Sequence, residues 1–140
     1  MSDLFSVRVR VRSYELDLNG HVNHAVYHAY GEHGRSELLA AAGCSMGRML
    51  EHGVGIVLLE THVRFLRELR FADEVDVDAR AAFGEGKTFR IDHTLTRGDG
   101  VVAAEIGCTM GLLDSVARRL LPDPAGRLRA LADDPGVLGL

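Results

Sequence analysis

The sequence has little of the residues that stabilise small secreted or fibrous proteins. Among 140 residues it has two cysteines, three prolines and no tryptophan. Cys44 and Cys108 form no CxxC pair, which argues against a disulfide framework or a zinc knuckle, so both are expected to be buried thiols. It lacks a run of about 18 apolar residues, and its opening alternates valine with charge instead of forming a signal-peptide core. We predict a cytoplasmic protein that does not bind or cross a membrane.

A dense basic block is also missing. Sixteen Lys and Arg are scattered among twenty Asp and Glu, and the net charge is -4 at pH 7. Nucleic-acid binding would have to overcome repulsion from phosphate, so we exclude it as a function. With 46% hydrophobic and 26% charged residues, the composition is that of an ordinary globular protein. We predict one domain, 1–140, with a core of about 5–121 and a C-terminal tail, 122–140.

What is present is a pattern of one helix among strands. Residues 7–12 alternate as a strand does, Asn19 and Gly20 can form a tight reversal, and Asn23 is a competent helix N-cap. A helix of about 20 residues then ends at Gly43. Strands are expected at 54–69, 74–83, 87–97 and 101–114, and a short helix within the tail at 125–132. The order β-α-β-β-β-β predicts an α+β domain whose sheet packs on the helix.

Two details of this pattern have structural consequences. Gly31 and Gly34 weaken the helix, and either they are merely tolerated or they allow it to pack closely on the sheet; we favour close packing. Unbroken alternation along 54–69 would place Leu59 on the face of Phe65, and Leu58 on the opposite face.

The stretch YELDLNGHVNHAVYHAYGEHGR, residues 14–35, resembles the signature of the 4-hydroxybenzoyl-CoA thioesterase-like branch of the hotdog fold. Residues 15–20 match that family's acidic-x-Asp-x-x-Gly turn, and HVNHAVYHAY resembles the start of its helix, with His24 in place of the commoner second asparagine. Weaker likeness in VRFLRELRFADEV and GEGKTFRIDH extends the match over about 5–121. The resemblance implies a hotdog fold, in which an antiparallel sheet wraps around a long central helix.

The resemblance also implies a function: hydrolysis of an acyl-CoA or acyl-carrier thioester, without a cofactor. It implies a homodimer, or a dimer of dimers, with active sites at the subunit interface. The family's catalytic aspartate maps onto Asp17, and its oxyanion-binding N–H maps near Asn23 or His24. Gly20, without a Cβ, lets substrate approach the backbone closely.

The residues themselves are compatible with this chemistry. Thioester hydrolysis needs a nucleophile or a base, and donors aimed at the oxygen that becomes negative. A helix start supplies such donors, because its first N–H groups have no intrahelical partner. Asp17, six residues ahead of Asn23, can attack the carbonyl or activate water, or it can simply cap the turn.

The histidines are weighed in the same way. His24 and His28 have the i, i+4 spacing of metal ligands, with His21 or Glu32 nearby, but the stretch lacks a complete ligand set. We therefore predict no metal. His21 and Tyr27 are assigned to substrate binding instead.

Further binding residues are assigned by position in the family pattern. Lys87, Thr88 and Arg90 match the place of phosphate contacts to coenzyme A, with Arg64 and Arg67 as weaker alternatives. Glu60 and His62 are candidates for lining the pocket from the facing subunit. A solvated surface explains each of these residues equally well. Two other functions remain open: an acyl-thioester hydratase or dehydratase, which needs a His and acid pair such as His21 or His24 with Asp17, and a non-catalytic acyl-CoA-binding module.

Overall fold

The computed structural model describes residues 4–140, and residues 1–3 of the predicted domain lie outside the described residues. In the described part, six strands and three α-helices follow one another along the chain. They are β1 Ser6–Arg10, α1 His24–Ala41, α2 Met46–Glu51, β2 Val54–Phe65, β3 Glu74–Asp78, β4 Arg80–Phe83, β5 Thr88–Arg97, β6 Val102–Asp114 and α3 Pro124–Leu131. The helix expected in the tail is thus confirmed as α3.

The strands form one antiparallel sheet that packs against α1. Its order is β1-β3-β5-β6-β2, and β4 also pairs with β5. Alternate residues of the sheet are fully buried between it and the helix, among them Val77, Ile91, Ala104 and Leu112. This is the α+β hotdog fold predicted from the sequence.

Helix α1 begins and ends where the sequence indicates. The Asn23 side chain accepts a hydrogen bond from the Ala25 N–H at 2.9 Å, and Gly43 ends the helix with a φ of +85°. A Cβ on Gly34 would lie 2.9 Å from Val77 Cγ1, and one on Gly31 would lie 3.2 Å from Ile106 Cδ1. The two glycines therefore allow close packing on the sheet, as predicted.

The prediction of one strand over 74–83 is wrong, because the chain breaks at Ala79 into β3 and β4. Just before the break, the Asp78 carboxylate accepts a hydrogen bond from the Thr94 N–H at 2.6 Å. The Ala79 N–H donates to the Phe5 carbonyl at 3.0 Å. These bonds, both to residues distant in sequence, take the place of regular strand pairing at the junction. The preceding strand also ends earlier than predicted, at Phe65.

The predicted alternation along β2 is wrong for a similar reason. Leu58 pairs with Met110 and Glu60 with Thr109, so Leu59 forms a β-bulge without a partner of its own. The bulge shifts the alternation by one residue. Leu58 consequently lies on the same side of the sheet as Phe65, towards α1, while the side chains of Glu60, His62 and Arg64 are exposed on the outer face.

None of the helices within residues 4–140 is long and apolar enough to cross a membrane.

Candidate active site

Asp17 lies in a tight loop between β1 and α1. The loop is closed by backbone bonds from Asp17 N–H to the His21 carbonyl at 2.7 Å and from Gly20 N–H to the Asp17 carbonyl at 3.0 Å. Gly20 has a φ of +77°, which a residue with a Cβ adopts only with strain, so the predicted reversal is confirmed. A Cβ there would meet nothing within 4 Å, so the space in front of Gly20 is open.

The Asp17 carboxylate has one oxygen engaged in this loop. Its Oδ1 accepts from the Asn19 N–H at 2.8 Å and from the His21 N–H at 3.3 Å. The other oxygen, Oδ2, has no hydrogen-bond donor among the described residues. The side chain is exposed. Asp17 therefore stabilises the turn and still has one carboxylate oxygen exposed to solvent.

The two oxyanion donors considered from the sequence differ in availability. The Asn23 N–H donates to the Glu15 carbonyl at 2.9 Å, so it is already occupied. The Ala25 N–H is occupied by the Asn23 side chain. The N–H of His24, the first residue of α1, has no acceptor within the described part of the chain. His24 is thus the better candidate donor, and Asn23 acts as the cap that fixes it.

Asp17 and His24 open onto one cavity of about 310 Å³. The cavity lies between the start of α1 and the segment that follows β2. Its lining comprises Asp17, His21, Val22, His24, Tyr27, Phe65, Leu66, Arg67 and Glu68. Five candidates from the sequence are therefore brought together: Asp17, His21, His24, Tyr27 and the weaker alternative Arg67. Gly20 and Asn23 hold the backbone beside them.

His21 is paired inside this cavity with an acid that sequence reasoning missed. Its Nε2 contacts a carboxylate oxygen of Glu68, and the other Glu68 oxygen accepts from Arg70 at 2.8 Å. A backbone bridge between His21 and Arg70 holds the two segments in register. The recurring acidic residue of the family's turn segment was the signal that could have indicated Glu68. Its contact with His21 could not be read from the sequence, because that contact depends on the fold.

The wall of the cavity nearest the helix is aromatic. The rings of Tyr27 and Phe65 pack edge to face, with centroids 5.0 Å apart. Burial raises the pKa of the Tyr27 hydroxyl, so it stays protonated near neutral pH. This pair forms an apolar surface in the cavity beside Asp17.

The remaining binding residues assigned from the sequence lie elsewhere in the single chain. His62, Arg64 and Arg90 line a separate depression of about 250 Å³ on the outer face of the sheet, with Glu60 on the same face. Arg90 is held there by Asp92 at 2.8 Å. Lys87 is exposed at the turn between β4 and β5, and Thr88 is exposed at the start of β5. These residues could contact the Asp17 cavity only across an interface with a second subunit, and that contact stays a prediction.

Within residues 4–140, no three His, Cys, Asp or Glu side chains are grouped as metal ligands would be. His24 and His28 are both exposed on α1.

Comparison with known protein families decides the affiliation of the chain. The model of the thioesterase-like superfamily matches residues 11–131. The chain belongs to this superfamily. The matched residues include the Asp17 loop, all of α1 and the whole sheet apart from β1.

Two relatives are similar in sequence. The chloroplastic acyl-acyl carrier protein thioesterase ATL3 of Arabidopsis thaliana is 37% identical over 93 residues, which cover 66% of this chain and 49% of the relative. This chain thus spans about half the length of that relative. An inferred esterase of Aquifex aeolicus is 30% identical over 99 residues, which cover 71% of this chain and 77% of the relative.

The fold is shared with solved structures. A Staphylococcus aureus protein, SAV2348, solved in complex with CoA, superposes with a TM-score of 0.82 at 24% identity. The match covers 91% of this chain and 82% of the other. This likeness establishes the fold of the chain.

Proposed function

We propose that this protein hydrolyses an acyl thioester, of coenzyme A or of an acyl carrier, to a free acid and a thiol. One observation carries the proposal: the free oxygen of Asp17 and the unoccupied N–H of His24 open onto the same cavity. The family affiliation and the thioesterase among its relatives support it.

The chemistry follows from the two groups. The substrate carbonyl oxygen is held against the His24 N–H, where the helix start carries partial positive charge. One well-placed donor of this kind is worth roughly 3 to 4 kcal/mol in the transition state. Asp17 either attacks the carbonyl carbon and displaces the thiolate, forming an anhydride that water then hydrolyses to the free acid, or removes a proton from a water that attacks the carbonyl and displaces the thiolate; in both cases the thiolate takes up a proton to leave as the thiol.

Replacement of Asp17 by Asn tests the proposal. An Asn side-chain oxygen can keep the turn bonds to Asn19 and His21, so folding should be retained. We expect kcat to fall by about 10²- to 10⁴-fold, the range for loss of a general base. Thiol release is measured with a chromogenic thiol reagent across short, long and aromatic acyl-CoA substrates. Unchanged turnover of every thioester would refute the role of Asp17, and ligand-induced stabilisation without thiol release would favour a non-catalytic binding module.

The His21 and Glu68 pair supports a second candidate function. A hydratase or dehydratase acting on acyl thioesters needs a His and an acid at the substrate, and His21 and Glu68 line the same cavity in contact with each other. An assay of enoyl-thioester hydration beside thiol release separates the two reactions. Hydration that depends on His21 and Glu68 but not on Asp17 would favour the second.

We further propose a homodimer or a dimer of dimers with active sites at the interface. The support is strand β2, which ends the sheet of the described chain and exposes Leu58, Leu59 and Phe65. An exposed apolar edge strand is otherwise prone to aggregation. Sedimentation analysis measures the oligomeric state directly.

The outer-face and hairpin residues are proposed to contact the CoA phosphates across that interface. Lys87, the single lysine of the sequence, is within 4.0 Å of no carboxylate among the described residues. Lys87→Ala should raise KM for a CoA thioester and leave KM unchanged for the corresponding N-acetylcysteamine thioester, which has no phosphate. An equal change for both substrates would exclude a phosphate contact.

A further inference from the structure

Arg35 is a buried cation at the centre of the contact between α1 and the sheet. The residue is only 8% exposed. Its Nη1 donates to His93 Nε2 at 3.4 Å and to Cys108 Sγ at 3.2 Å. A Cβ on Gly31 would lie 3.3 Å from this Nη1, so the glycine makes the space that the guanidinium occupies.

His93, one of the two partners of Arg35, supplies no negative charge at neutral pH. His93 is 1% exposed, and its Nδ1 lies 2.8 Å from the Asp78 carbonyl, which fixes the proton on Nδ1 and leaves Nε2 as an acceptor for Arg35. Burial lowers the pKa of His93 to about 4, so the ring is neutral at pH 7. Among residues 4–140, no carboxylate lies within 4.0 Å of the guanidinium. A buried cation without a counter-charge is costly, so a ligand that pairs with it binds with a gain.

The rest of the guanidinium faces a groove. Nε and Nη2, which carry the other three N–H groups, have no acceptor in the described chain, and neither is sealed from solvent. Arg35 lines a cavity of about 250 Å³ whose other walls are largely apolar. They include Leu39, Met46, Ile56, Leu58 and Met110. A second cavity of about 180 Å³ adjoins it beside α2, and the two share Leu39, Met46 and Ile56 among their lining residues.

The groove and the Asp17 cavity both lie between helix α1 and strand β2, at different positions along the helix. Tyr27 of α1 and Phe65 of β2 line the Asp17 cavity, while Arg35 of α1 and Leu58 of β2 line the groove. The Arg35 Nη1 lies at the level of Gly31, seven residues along the helix from His24, which is a rise of about 10 Å along the helix axis from the proposed oxyanion donor. An acyl group that extended from the thioester carbonyl along α1 towards the groove would reach the guanidinium.

We propose that Arg35 binds an oxygen acceptor on the acyl group, so that the protein prefers acyl thioesters bearing a hydroxyl or carboxylate away from the thioester over plain hydrocarbon acyl groups. This inference rests on the proposed thioester hydrolysis. Glu32 lines the same cavity and is exposed, so the experiment includes both a neutral and a charged oxygen group. A site built to pair with a substrate oxygen discriminates strongly against the analogue that lacks it, because the site's polar group is then left unpaired.

The test compares three N-acetylcysteamine thioesters of equal chain length that end in a methyl, a hydroxyl or a carboxylate group. The proteins are the wild type, Arg35→Met, Arg35→Lys and the control Arg8→Met, which removes an exposed arginine paired with Asp76. We expect the wild type to favour at least one oxygenated substrate by about tenfold or more in kcat/KM, the value of a charge-assisted hydrogen bond. Arg35→Met should abolish that preference while hydrolysis of the methyl substrate continues. Arg35→Lys should keep part of it, and Arg8→Met should keep all of it.

Three results would overturn the inference. They are a wild type without preference, an Arg35→Met protein with the preference intact, and a loss that falls equally on all three substrates. A change of Arg35→Met from dimer to monomer with unaltered preference would instead assign Arg35 to a subunit contact.

If the wild type hydrolyses no thioester, the proposed function fails separately, and Arg35 is tested by binding of the corresponding free acids. Thermal stabilisation by an oxygenated acid beyond that by the plain acid, abolished in Arg35→Met, would support the inference. Equal stabilisation by all three acids would overturn it.

Discussion

The hydroxyl of Tyr30 donates a hydrogen bond of 2.7 Å to the buried carboxylate of Glu15, which ties the middle of α1 to the turn that precedes Asp17. Burial raises the pKa of the Tyr30 hydroxyl, and Glu15 raises it further, so the group remains a donor. The Glu15 carboxylate also accepts from the Arg12 N–H at 2.8 Å. The position of the Asp17 loop relative to the helix start therefore depends on side chains as well as on backbone bonds.

Removing the Tyr30 hydroxyl should loosen this connection. We expect Tyr30→Phe to destabilise the protein by about 1 to 2 kcal/mol, because a buried acceptor on Glu15 loses a donor. We also expect kcat to fall severalfold while KM changes little, since the loop carries the reacting group. Urea denaturation and steady-state kinetics measure the two effects. Tyr14→Phe is the matched control, because Tyr14 is 80% exposed, and equal behaviour of the two variants would contradict the prediction.

The His24 N–H can be removed with little disturbance of the helix. Proline is favoured at the first position of a helix, and Asn23 already has the extended backbone, φ -61° and ψ 139°, that a residue before proline requires. We expect His24→Pro to lower kcat by about 10²- to 10³-fold, as loss of one oxyanion donor does.

His24→Ala is the control for that substitution, because it removes the imidazole and keeps the N–H. If both variants lose activity to the same extent, the side chain and not the backbone donor is responsible. Circular dichroism confirms that the helix content is retained in each.

Gly34 should not tolerate a methyl group, even though alanine favours helices. The added Cβ would lie 2.9 Å from Val77 Cγ1 and 3.4 Å from His93 Nδ1, both on the sheet. We expect Gly34→Ala to destabilise the protein by about 1 to 3 kcal/mol through overpacking. Gly47→Ala, in α2 with nothing within 4 Å of its Cβ, should instead stabilise it by up to about 1 kcal/mol. Thermal denaturation compares the stability of the two variants with that of the wild type. A Gly34→Ala protein as stable as the wild type would show that Val77 shifts to accommodate the methyl group.

Because His93 is buried, the free energy of unfolding should decrease as the pH is lowered. Its pKa is lowered to about 4 in the folded protein and is near 6.5 when unfolded, so between these values the unfolded chain takes up a proton that the folded one does not. The stability contribution is therefore complete above pH 6.5 and decreases as the pH falls towards 4, by on the order of 3 kcal/mol in total. Burial raises the pKa of Asp78, which acts in the opposite direction.

Because of Asp78, the informative quantity is the difference between the wild type and His93→Gln. The free energy of unfolding, measured by denaturant at several pH values, should decline less steeply in the variant over this window. Parallel pH profiles for the two proteins would exclude His93 as the cause.

The sequence predicts those parts of the molecule that depend on neighbours along the chain. Asn23 as a cap, Gly20 in a reversal and Gly43 at the helix end each have a local physical reason, and each is confirmed. The position of Asp17 ahead of the helix start is also local. The close packing of Gly34 could be proposed because two glycines a turn apart have few other uses in a helix.

The features that sequence reasoning missed depend on contacts between distant segments. The break at Ala79 accompanies a bond from Thr94, 16 residues beyond Asp78. The position of Glu68 in the candidate site is recognised only from its contact with His21. The burial of Arg35, a residue type that is usually exposed, follows only when β5 and β6 place His93 and Cys108 beneath the helix.

Because of the bulge at Leu59, β2 has one residue more than the strand β6 with which it pairs over this stretch. Since Leu58 and Glu60 pair with the adjacent residues Met110 and Thr109, Leu59 is the one position in this strand whose deletion would leave both flanking halves in register. Deletion of a residue elsewhere in β2 would turn part of the strand over, and in the half after the bulge it would present Glu60 and Arg64 to the helix. Chains of this kind that differ by one residue in this strand are therefore best aligned with the gap at Leu59.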